Sequence, residues 1–91
     1  MSLDRAFKVS DHILTRQIDN ETVIMDMERS VYCGLNEVGT RIFELIKDEK
    51  TLAEITDVIM TEYDVPQDVA RRDINELVAD LLDKNLIQER L

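Results

Sequence analysis

Between Ser30 and Ile46 the chain reads SVYCGLNEVGTRIFELI, and a two-residue alternation gives way to a helical one without a linker. In Ser30 to Leu35, Val31, Cys33 and Leu35 share one face of a strand while Tyr32 and Gly34 share the other. The first set is assigned to the core. From Val38 onward apolar residues recur at i, i+4, i+7 and i+8 (Val38, Ile42, Leu45, Ile46), the pattern of a helix with one buried stripe. Asn36 separates the two elements as an N-cap, and Glu37 sets a carboxylate in the first turn, where the helix dipole favours it. The first helix therefore spans about Glu37 to Lys47. Gly39 lowers helix propensity there, which implies that another backbone comes close. A strand with so little polar decoration, tied directly to a helix, must use its remaining surface for something.

Upstream, His12 to Ile18 and Glu21 to Met27 are β-branched and apolar runs flanking Asp19-Asn20, a pair that tolerates the left-handed backbone of a tight turn. With Glu28-Arg29 as a second break, the three runs form an antiparallel meander. The residues before His12 carry no signal of their own. Downstream, Thr51-Leu52-Ala53-Glu54 is a capping box that opens a second helix, with Leu52, Ile55, Val58 and Ile59 as its stripe. Asp64-Val65-Pro66 ends it, because the residue before a proline is pushed out of helical space. A third helix runs from about Gln67 to Lys84, with Ala70, Ile74, Leu77, Val78 and Leu81 inward and Arg71, Asn75 and Leu82 on the shoulder beside Val78. Asn85 is the expected C-cap, and Leu86-Ile87-Gln88 a short closing strand. The expected fold class is α+β, a three-stranded antiparallel N-terminal sheet followed by three helices, which is one way to build a winged helix-turn-helix. At 91 residues it forms a single domain, residues 1–91, with its core at about 13–88.

Composition narrows the function. Eleven basic against twenty acidic residues give a net charge of −9, and no basic patch offsets it, so a phosphate backbone would be repelled and no nucleic-acid partner is expected. The third helix makes the point locally: Asp68, Asp73, Glu76, Asp80 and Asp83 outnumber Arg71, Arg72 and Lys84, where a recognition helix needs donors for base edges. One cysteine allows no internal disulfide, no apolar run reaches membrane-spanning length, and no signal-peptide core is present, which points to a cytoplasmic protein without a membrane partner.

Catalytic groups are scarce. His12 has no second ligand at metal-binding spacing and reads as a surface residue, Cys33 reads as a small core hydrophobe, and no glycine-rich phosphate loop exists. Met25, Met27 and Met60 read as core residues. The chain is therefore expected to be no enzyme and to need no metal or cofactor.

Three segments carry a resemblance: GLNEVGTRIFELI at Gly34 to Ile46, TLAEITDVIMTEYDV at Thr51 to Val65, and RRDINELVADLLDKNLI at Arg71 to Ile87. Together they closely resemble the PqqD-like family, which includes the pyrroloquinoline quinone chaperone and the leader-binding B proteins of lasso-peptide pathways, and whose fold is the RiPP recognition element. The match covers about Ile13 to Gln88. Phe43 stands where many members have Trp, and Asn85 where a Gly often ends the last helix. The resemblance implies a non-catalytic domain that binds the leader segment of a ribosomally made precursor peptide, adding it as a strand to the edge of the third strand and laying it against the third helix. Partners implied are the precursor leader and a modifying enzyme, either a radical SAM enzyme or a leader peptidase with a cyclase.

The physics of a meander agrees, because its third strand has a free edge whose N–H and C=O groups can pair with an extended peptide. From helix phase, the expected contacts are Val31, Tyr32 and Cys33 on the strand and Arg71, Asn75, Val78 and Leu82 on the helix. Asp73 matches an acidic position of the family, its role open between peptide contact and backbone anchoring. The alternatives are a winged-helix transcription regulator and an adaptor that pairs the same strand edge with its own copy, forming a homodimer.

Overall fold

The computed structural model describes residues 4–90. Three strands, β2 (Ile13–Ile18), β3 (Glu21–Asp26) and β4 (Val31–Leu35), form an antiparallel sheet in the order β2-β3-β4, and three helices follow, α1 (Glu37–Lys47), α2 (Leu52–Tyr63) and α3 (Gln67–Asp83). The α+β meander-then-helices order is the one expected. Two elements extend it. A strand β1 (Ala6–Val9) precedes the meander and pairs antiparallel with a closing strand β5 (Ile87–Arg90), making a second, two-stranded sheet. The closing strand was anticipated; β1 was not. It is held by non-local groups: Leu52 N–H donates to Arg5 O at 2.9 Å, Ser10 N–H to Leu86 O at 3.0 Å, and Arg5 pairs with Glu89 at 2.8 Å.

Local signals set the helix boundaries. Asn36 accepts from Gly39 N–H at 2.8 Å, so α1 starts directly after β4. The capping box at α2 is complete, with Thr51 N–H donating to Glu54 at 2.9 Å and Glu54 N–H to Thr51 Oγ1 at 3.2 Å. Asp64, in left-handed conformation (φ 52), ends α2. At the end of α3 the cap is Lys84, and Asn85 is the next residue, at φ 59. The expected cap is thus displaced by one position, because the left-handed residue that reverses the chain follows the cap rather than forming it.

The core lies where the inner face of the meander meets the helices. Phe7, Ile24, Ile42, Ile46, Leu52, Ile55, Ile59, Ile74 and Leu81 are almost completely buried. Ile24, in the middle of the central strand, aligns with Cys33 in β4, and both turn inward. Four expectations change. Val31 shares the strand face of Cys33 but is 41% exposed, because it sits opposite Asp26 at the end of the sheet beside the turn. Met27 lies in that turn and is exposed, whereas Met60 does pack on the core. Gly39 is crowded by its own N-cap rather than by another backbone: a Cβ there would lie 3.2 Å from Asn36 Oδ1 and 3.4 Å from Leu35 Cβ. His12 is half-buried rather than a plain surface residue, its Nε2 3.6 Å from Asp26 Oδ2.

Candidate peptide groove

β4 is bonded to β3 on one side only, so its other edge carries backbone groups with no strand partner among the described residues. Beside that edge lies a groove of about 480 Å³, floored by Leu35, Val38, Gly39 and Ile42 and walled by Gly34 and Asn36 on one side and Asp73, Glu76, Leu77 and Asp80 on the other. The direct passage from β4 into α1 builds this floor, because Asn36 caps the helix at the point where the strand ends. Gly34 keeps the rim low, since a Cβ there would meet nothing within 4 Å. A shallower hollow of about 280 Å³ continues past it, along Glu21, Thr22 and Val23.

The helix wall is acidic and its charges are only partly compensated. Asp80 accepts from Lys84 Nζ at 3.0 Å, Asp73 lies 3.7 Å from Arg72, and Glu76 has no ion pair among the described residues. Lys84 also reaches Cys33 Sγ at 3.8 Å, which ties the end of α3 to the middle of β4. The hydrogen bond to Asp80, with the sulfur nearby, raises the Lys84 pKa above its ordinary value, so the ammonium stays charged.

Of the seven expected contact residues, Val31, Tyr32 and Cys33 lie on β4 upstream of the groove. Tyr32 is 69% exposed and turned outward, and Cys33 is buried beneath the edge. Arg71, Asn75, Val78 and Leu82 do not line the groove. Val78 is 1% exposed and part of the core, and Leu82 packs against the core from its flank. At about 100° per residue, Asp73, Leu77, Asp80 and Lys84 cluster on one shoulder of the buried stripe, while Arg71, Asn75 and Leu82 occupy the other, about 160° away. The groove residues that sequence reasoning left out, Asp73, Glu76, Leu77 and Asp80, could be found only by knowing which shoulder faces β4. Asp73 alone carried a family signal.

The sequence and the fold that carry this edge and groove match known proteins. The family described as Coenzyme PQQ synthesis protein D (PqqD) matches residues 21–87. The chain belongs to the PqqD family. A solved structure described as TbiB1 in complex with the TbiA(beta) leader peptide is similar to it, with 35% identity over 88% of this chain and 93% of the other, at a TM-score of 0.82. A lasso peptide synthetase B1 complexed with the leader peptide shares 27% identity over 89% of this chain and 95% of its own, also at a TM-score of 0.82. No curated protein sequence matches the chain. This PqqD-family fold places no group of three or more His, Cys, Asp or Glu where a metal could sit among the described residues, and no described helix is long and apolar enough to cross a membrane.

Proposed function

We propose that this protein binds the leader segment of a ribosomally synthesised precursor as an added strand on the free edge of β4, against α3, and presents it to a modifying enzyme or leader peptidase. The observation that carries this reading is the unpaired β4 edge at the rim of a groove, in a fold similar to that of two solved leader-peptide complexes. Similarity to a lasso peptide synthetase B1 favours a peptidase and cyclase as the partners over a radical SAM enzyme. The chain itself does no chemistry in this reading: its one cysteine is buried, and its one histidine lies beside Asp26 and lines no part of the groove. A cytoplasmic location follows from that role.

Strand addition supplies about five backbone hydrogen bonds, each worth roughly 0.5 to 1.5 kcal/mol net. Association costs about 4 kcal/mol or more, so side-chain anchors must contribute the surplus. Val38, Ile42 and Leu77 offer the apolar surface for one. Tyr32, Val31 and Cys33 contribute along the strand, and the α3 contribution comes from the shoulder that lines the groove rather than from Arg71, Asn75 and Leu82.

The test is an isotope-edited NMR titration with the leader of a precursor encoded beside this gene. Shifts concentrated on residues 30–36 and on Asp73, Leu77 and Asp80 are expected. An unperturbed spectrum at near-millimolar peptide would refute the reading. The free β4 edge also suits pairing with a second copy, which would show as a molar mass that rises with concentration in the absence of peptide.

A further inference from the structure

The occupant's charge is written into the groove, given that the groove takes a peptide as proposed above. A strand added to β4 alternates its side chains, and every second one turns to the side on which Cys33 and Leu35 are buried, the side where α3 lies. On that side the α3 shoulder presents Asp73, Leu77 and Asp80 in order along the helix: a carboxylate, an apolar side chain, a carboxylate. Along the helix the three positions are separated by about 6 and 4.5 Å. Successive inward residues of a strand are about 6.8 Å apart, a mismatch that long flexible side chains absorb and short ones do not. Opposite the acids, the strand and α1 contribute only Gly34, Leu35, Asn36, Val38, Gly39 and Ile42, none of them charged. None of the described residues that line the groove is basic.

We propose that the groove selects a basic extended segment, in which an apolar residue seated against Leu77, Val38 and Ile42 is followed or preceded two residues away by Lys or Arg, paired with Asp73 or Asp80. Glu76 adds to the field at the rim without facing the inward row. An acidic segment is rejected by the same wall, and the net charge of −9 extends that discrimination to long range. Lys84 limits the preference at the Asp80 end, since its ammonium already occupies one carboxylate oxygen. Arg72 lies farther from Asp73, at 3.7 Å, than Lys84 does from Asp80, so the Asp73 end is the freer cation site.

An mRNA-displayed library of random 12-residue peptides, selected on the immobilised protein, tests this without knowledge of the natural leader. Enriched peptides are expected to share Lys or Arg at an offset of two from an apolar residue. Replacing that cation by Gln in the best peptide, or Asp73→Asn in the protein, should each weaken binding about two- to fivefold. The two effects should not add. Asp73 is exposed, so the variant keeps its fold, and the peptide-side change reports on the unaltered protein in any case. Enriched peptides that lack a cation at that offset, or an affinity unmoved by both substitutions, would overturn the charge preference while leaving peptide binding intact. A selection that enriches no peptide overturns peptide binding itself, and the charge preference falls with it.

Discussion

Replacing Phe7 by alanine tests whether β1 is part of the folded core or a strand resting on its surface. Phe7 is fully buried in β1, and the Arg5 guanidinium lies 5.1 Å from its ring centroid. Phe-to-Ala changes at buried sites cost about 3 to 5 kcal/mol, the sum of lost transfer energy and the cavity left behind. A domain of this length has a total stability of about 5 to 14 kcal/mol, at roughly 0.05 to 0.15 kcal/mol per residue. The variant should therefore lose about a fifth of its margin or more. At about 4 to 8 °C per kcal/mol for a domain of this size, the melting temperature falls by about 12 °C at least. Urea unfolding followed by far-UV circular dichroism gives the value directly, with the midpoint lowered and the slope unchanged. Lys8→Ala, in the same strand but exposed, should stay within about 0.5 kcal/mol of the parent. A loss under about 1 kcal/mol for Phe7→Ala would refute the placement of β1 in the core.

Leu77→Ala and Leu82→Ala, both half-buried on α3, should lower stability to similar extents, but only the first should weaken leader binding in a fluorescence titration, since only Leu77 lines the groove. Asn36→Ala removes the acceptor for Gly39 N–H and should cost about 0.5 to 2 kcal/mol in urea unfolding, with a loss of peptide affinity because the same turn floors the groove. Stability should also fall in acid through Asp26. Burial pushes that carboxyl up, but the backbone N–H groups of Arg29 and Glu28 and the nearby His12 outweigh it and hold the pKa below the ordinary range. A group depressed in the folded state contributes stability above its unfolded value, about 3.9, and loses it as pH falls through the folded value. Asp26→Asn should flatten that acid limb in a series of melts below about pH 5, and an unchanged limb would refute the assignment.

The meander and the helices were legible because their signals are local: a period of two, a period of 3.6, an Asn N-cap and a Thr-Glu capping box all lie within a few residues of what they specify. β1 was not, because Ala6–Val9 contains one fully buried side chain and owes its conformation to β5, whose partner residues lie more than 75 positions away. The free edge of β4 was legible from strand order alone. The contact shoulder of α3 was not. Leu77 and Leu82 flank the same buried stripe, and the helix pattern treats them alike; only the placement of α3 beside β4, marked by its C-cap Lys84 reaching Cys33, decides which one borders the groove. Val31 teaches the same distinction on the strand, since alternation fixes which way a side chain points but not whether anything lies there to cover it.

The pairing of β1 with β5 sets Ala6 opposite Arg90, so the first and last strands described lie side by side. The β4 edge belongs to the other sheet. A unit bounded by paired strands is suited to grafting: it can be spliced into a surface loop of a host through two joints that lie side by side, without stretching the host. A recognition function built this way is portable. Tethering it beside an active site would raise the local concentration of a captured substrate without any change to the groove itself.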